Sequence, residues 1–88
     1  MLVKLTEIQK NGIEWELNEI FVNPEHISMV KEVKFLQKLN EGGYLPKNLD
    51  IDHRFSRIVV KSRPFLVVGA PEFIARKLRI NPKQLLRG

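Results

Sequence analysis

Three cations punctuate the alternating stretch Arg57-Ile58-Val59-Val60-Lys61-Ser62-Arg63, and their spacing is where this chain comes nearest to chemistry. Successive side chains of an extended strand point to opposite faces, so Arg57, Lys61 and Arg63 are expected on one face with Val59, and Ile58, Val60 and Ser62 on the other. Arg54, Lys31 and Lys34 join that face if the strands carrying them pair as neighbours. The chemistry on offer is salt-dependent contact with phosphate, with Tyr44 or Phe55 free to stack on a base. The candidate anion-binding set is therefore Arg54, Arg57, Lys61, Arg63 and Lys31. The competing reading is a solvated face that only keeps the protein soluble.

Other candidate chemistry is thinner. Asp50-Ile51-Asp52-His53 places two carboxylates on one extended face beside an imidazole, a donor set for a divalent ion, but a polar loop with local Asp turns explains the same residues. His26 follows Asn23-Pro24-Glu25 and reads as a turn residue. Ser28 near His26 and Ser56 near His53 lack a nucleophile elbow or an oxyanion arrangement. Gly42-Gly43 stands without the downstream Lys-Ser/Thr of a phosphate loop. The tail from Ala75 to Leu85 has the outline of a helix-turn-helix, yet Arg79 stands where glycine is usual, and three residues after Leu85 leave little for a recognition helix. No enzyme, no metal and no cofactor are expected.

Composition narrows the class. The 88 residues make one domain, spanning 1–88, small enough that self-association is a fair expectation. With 15 Lys and Arg against 10 Asp and Glu, the formal charge of +5 favours anionic partners over basic ones. The absence of cysteine excludes a disulfide framework and thiolate zinc sites. No apolar run approaches the ~20 residues of a membrane span, and the N-terminus carries no long apolar segment, so a soluble cytoplasmic protein with no membrane partner is expected.

The elements that must position these residues follow from turn and period signals. Leu2 to Ile8 alternates, Lys10-Asn11-Gly12 signals a turn, and Ile13 to Val22 returns as a second arm with Ile13, Trp15, Leu17, Glu19 and Phe21 on its core-facing side. Asn23-Pro24 breaks that strand. Ile27 to Phe35 resumes an extended pattern. From Leu36 to Asp52 the pattern turns polar and loop-like, and residues 37–52 are expected to be mobile. His53 to Val68 supplies one long or two consecutive strands, bent or edge-placed at Pro64. Pro71-Glu72 opens a helix, and Asn81-Pro82 opens a second short one. The expected fold is α+β: a small antiparallel sheet of four to five strands, meander-like, followed by one or two C-terminal helices.

Three pieces of this pattern resemble the small FlbD-like family associated with bacterial flagellar and swarming motility and its phage-encoded relatives. They are Leu5-Thr6, the run Phe21-Val22-Asn23-Pro24-Glu25-His26-Ile27 with Val30-Lys31-Glu32, and Ile58-Val59-Val60 with Ala70-Pro71-Glu72-Phe73-Ile74, together about half of the chain. The chain departs from the family in the long insertion Leu36 to Arg54 and in the tail from Asn81. The resemblance implies a small non-enzymatic accessory protein and assigns no catalytic residue. The expected function is protein–protein binding as a homo-oligomer, with a host or partner protein as a second target; the alternative is a nucleic acid or nucleotide held on the basic strand face.

Overall fold

The computed structural model describes residues 1–79, and the second helix expected at Asn81-Pro82 lies outside them. The fold is α+β, with five antiparallel strands in the order β2-β1-β5-β4-β3 and two helices. Strands β1 (Val3–Asn11) and β2 (Glu14–Val22) form a hairpin. Its two-residue turn has Gly12 at φ +68°, followed by Ile13 at a negative φ, the pattern that demands glycine at the first turn position. A 3-10 turn, Pro24–His26, leads into β3 (Ile27–Glu32); the Asn23 side chain accepts a hydrogen bond from the Glu25 N–H at 3.0 Å and starts that turn. Helix α1 (Lys34–Glu41) follows, then β4 (Phe55–Val60), β5 (Arg63–Val68) and α2 (Pro71–Leu78).

The edge strands β2 and β3 are consecutive in sequence. Laid flat, five strands put their edges ~19 Å apart, four spacings of ~4.8 Å. The tight turn at Pro24–His26 is too short a bridge for that distance, so the sheet curls and brings the two edges toward each other. The His26 carbonyl accepts the Lys61 N–H at 3.1 Å, which ties the connection to the β4–β5 hairpin tip. Ile20, Phe21 and Val22 accordingly share one groove with His26, Val60 and Phe65.

Each face of the sheet carries its own apolar cluster. Leu5, Val22, Ile27, Val30, Ile58 and Val67 pack against Ile74 and Leu78 of α2. Ile8 and Phe55 pack on the opposite face against Leu36 of α1 and Leu45. Leu5 and Ile8 stand three residues apart on β1 and so belong to different clusters, as alternation requires. At the junction, buried Ser56 donates from Oγ to the Gly69 carbonyl at 2.7 Å, and the Gly69 N–H donates to the Arg54 carbonyl at 2.7 Å. Gly69 has φ +129°, and a Cβ there would sit 2.8 Å from Phe73 Cδ2 and 2.9 Å from Ile74 Cδ1.

Several expectations need correction. Residues 34–41 are helical, where an extended run to Phe35 and a loop from Leu36 were expected. Leu45 and Leu49 pack into the α1-side cluster, and the Asn40 amide donates to the Asp50 carbonyl at 2.7 Å. The stretch His53 to Val68 is two strands, and β5 is the central strand of the sheet rather than an edge. Val60 and Arg63 flank a two-residue turn and exchange hydrogen bonds, so at the next pair, Val59 and Pro64, the missing proline donor faces β1. The β1–β5 register there rests on the Glu7–Val67 pair, beyond Pro64, which is how a central strand tolerates proline. Trp15 is half-buried, and Phe21 stays 61% exposed.

Candidate functional site

The five cations nominated from sequence do not share a face. A turn at Lys61-Ser62 reverses the chain after Val60, so Arg63 stands opposite Val60 on the α2 face while Arg57 stands on the α1 face. Both turn residues have positive φ, +49° and +70°, and Lys61 belongs to neither face. Arg63 lies 5.9 Å from the Phe65 ring centroid. Arg54 is committed elsewhere. Its Nε and Nη2 donate to the two carboxylate oxygens of Glu32 at 2.9 and 2.8 Å, and Nη1 reaches Glu72 at the start of α2 at 3.5 Å.

This ion pair shifts both partners. The hydrogen bonds from Arg54 hold the Glu32 carboxyl below its usual range against the opposing effect of desolvation, and the guanidinium is raised in turn by Glu32. Because the folded-state carboxyl is the stronger acid, its contribution to stability is present above the ordinary carboxylate range and is lost as pH falls through the lowered pKa.

Lys31 and Arg57 do converge. They are direct partners in the β3–β4 register, both exposed, with Leu66 on the other flank of Arg57. Lys34 begins α1 close by, and its N-cap, Val33, offers no side-chain hydrogen bond to the first turn. Together with Phe35, Pro64 and Leu66 these residues line a groove of about 570 Å3. Phe35 is 55% exposed. It was missed because the sequence reads as strand through that position; its signal is an aromatic directly after Lys34. The aromatics nominated for stacking lie elsewhere: Phe55 is fully buried, and Tyr44 is exposed next to Gly42.

The other edge strand of the sheet is β2. The β1–β2 register runs unbroken from Asn11–Glu14 to Val3–Val22. Asn11 and Glu14 flank a two-residue turn and bond to each other, so Trp15, Leu17, Glu19 and Phe21 aim their backbone N–H and C=O groups away from β1. Among the described residues no other strand pairs with that edge.

The remaining candidates resolve into local structure. His53 Nδ1 accepts the Asp50 N–H at 3.0 Å, and the His53 N–H donates to the Asp50 carbonyl at 3.1 Å, a closed turn. Among the described residues no group of three or more His, Asp or Glu is placed to hold a metal ion. Ser56 is fully buried, and Ser28 Oγ lies 3.5 Å from the Val59 carbonyl. Ala75 and Leu78 are spent on packing α2 against the sheet, and Arg79 takes the left-handed conformation usual for glycine at a helix end. No described helix is long and apolar enough to cross a membrane. Comparison with protein-family models, curated proteins and solved structures returns no match for the chain.

Proposed function

We propose that the protein works by binding rather than by catalysis, as a small bacterial or phage accessory protein of the kind its FlbD-like motifs describe, and that it acts as a homodimer. The carrying observation is the long, regular edge of β2, with which no other strand pairs among the described residues. Antiparallel pairing of this strand with its copy must align side chains on the same face, so only even register sums are allowed. The register centred on Asn18 sets Trp15 against Phe21, Leu17 against Glu19, Glu16 against Ile20 and Glu14 against Val22 of the second copy.

In that register every outward backbone group finds a partner, and the aromatic residues form cross-strand pairs. No two glutamates stand directly opposite. Sliding by one step toward the C-terminus sets Glu19 against itself, and sliding the other way leaves Phe21 without a partner in β2. Lys4 Nζ lies 3.4 Å from Glu19 and offsets the acid nearest the dimer centre. The half-buried Trp15 and the exposed Phe21 gain cover in the same step.

Sedimentation equilibrium at micromolar concentration should therefore give a mass twice the monomer's 10.3 kDa. Glu19→Pro removes an outward donor without touching the β1–β2 ladder, and should give a monomer with an unchanged far-ultraviolet spectrum. A parent protein that sediments as a monomer, or a proline variant that stays dimeric, sinks the proposal.

A further inference from the structure

The geometry points to single-stranded nucleic acid as the ligand of the groove between β3, β4 and the start of α1, with phosphates on Lys31, Arg57 and Lys34 and a base stacked on Phe35. Lys31 and Arg57 are directly opposed like charges on neighbouring strands, a pairing that works against the sheet unless an anion lies between them. The acid in the groove's lining, Glu32, has both carboxylate oxygens occupied by Arg54, so it leaves the cations uncompensated.

The apolar components select among anions. A site for inorganic phosphate has no use for an exposed Phe35 beside Leu66 and Pro64. Cations that follow a backbone beside an aromatic face are the arrangement with which proteins hold unpaired bases, since every base presents a π-face. The groove is open along the sheet surface and contains no carboxylate or amide cluster aimed at base edges, which fits binding without sequence preference. It lies on the α1 face, and none of its lining residues belongs to β2, so ligand binding and dimer formation are separable.

Fluorescence anisotropy with a labelled oligothymidylate at about 50 mM salt reads the affinity and its salt slope. The parent should bind, and Lys31→Gln/Arg57→Gln should lower the affinity at least about tenfold and reduce the salt slope by about 1.4, two phosphate contacts at ~0.7 each on a single strand. Phe35→Ala should weaken oligothymidylate by about tenfold while leaving an abasic oligonucleotide of the same length unchanged. The control Arg76→Gln/Lys77→Gln removes the same charge from exposed positions of α2 on the other side of the sheet and should bind as the parent does.

Absence of binding by the parent overturns the assignment. Equal losses in the two double variants reduce it to net charge and overturn the groove. Abasic oligonucleotide or heparin binding as tightly as oligothymidylate overturns the nucleic acid in favour of any polyanion. Circular dichroism of each variant shows that a loss of binding is not a loss of fold.

Discussion

The two edges of this sheet are built on opposite principles. Strand β3 is short, breaks register between Ile27 and Met29, continues into α1 and is clamped at its end by the Glu32–Arg54–Glu72 network. Bulges, short length and covering elements are the devices by which sheets keep an edge from recruiting another strand. Strand β2 has nine residues, no bulge and no proline, and carries Glu14, Glu16 and Glu19 where the β3 side carries Lys31, Lys34 and Arg57. One edge is protected and cationic, the other open and acidic. That difference is the ground for the proposed self-pairing through β2 and the proposed ligand groove beside β3.

The largest effect should come from the closed side. Ile74 is fully buried where α2 meets the sheet, so Ile74→Ala should cost about 2–5 kcal/mol through lost burial and the cavity left behind. Trp15 on the open side is only half-buried, with Lys10 Nζ 5.9 Å from its ring. Trp15→Ala should cost the monomer about 1–2 kcal/mol, below the ~3–5 of a fully buried aromatic. Urea denaturation measures both, and under the proposed pairing of β2 the tryptophan variant should lose more at high protein concentration. Equal costs would erase the distinction between a closed and an open side.

The two hairpin turns sharpen the same contrast at about 1 kcal/mol. Gly12 supplies the positive φ its turn requires. The β4–β5 turn asks for positive φ at both central positions and fills them with Lys61 and Ser62, whose β-carbons make the left-handed region costly; the Lys61 N–H is held by the His26 carbonyl at 3.1 Å, a backbone bond that any residue but proline would keep. Replacing the pair by Lys61→Asn/Ser62→Gly should raise stability by about 1 kcal/mol, while Gly12→Ala should lower it by a comparable amount. Thermal unfolding reads both, and a destabilised Asn-Gly variant would mean that the Lys61 or Ser62 side chain makes a contact worth more than the strain.

These turns also mark where the sequence was readable. Lys10-Asn11-Gly12, Asn23-Pro24 and Pro71-Glu72 announce a hairpin, a break and a helix start through residues whose backbone preferences are strong; the break and the helix start stand where expected, while the hairpin turns later, at Gly12-Ile13, which leaves Lys10 and Asn11 in β1 and Ile13 exposed rather than on the core face. Lys61-Ser62 carries no such signal, so the chain was read straight through it and Arg63 was put on the wrong face. Helix α1 was hidden for a similar reason: Val33 gives it no capping side chain, and the alternation of β3 runs visually into Phe35. Of the candidate site, Lys31 and Arg57 were legible as cations on neighbouring strands. The removal of Arg54 by Glu32 depends on contact between residues far apart in sequence, which spacing alone cannot supply.

The smallest effect concerns the β3 edge itself, where charges are satisfied on one face and opposed on the other. At position 32 the carboxylate is held by Arg54. One residue earlier, on the opposite face, Lys31 meets Arg57 across the ladder. Like charges directly opposite weaken a strand pair, so Arg57→Thr, which keeps a good strand former at an exposed position, should stabilise the protein by about 0.2–1 kcal/mol at low salt. The gain should shrink toward zero near 1 M salt, where screening extends only ~3 Å. A variant that is less stable than the parent at low salt would show that Arg57 packs its stem on Leu66 to greater benefit than its charge costs. A salt-sensitive gain would show that the sheet carries a repulsion an anionic ligand relieves.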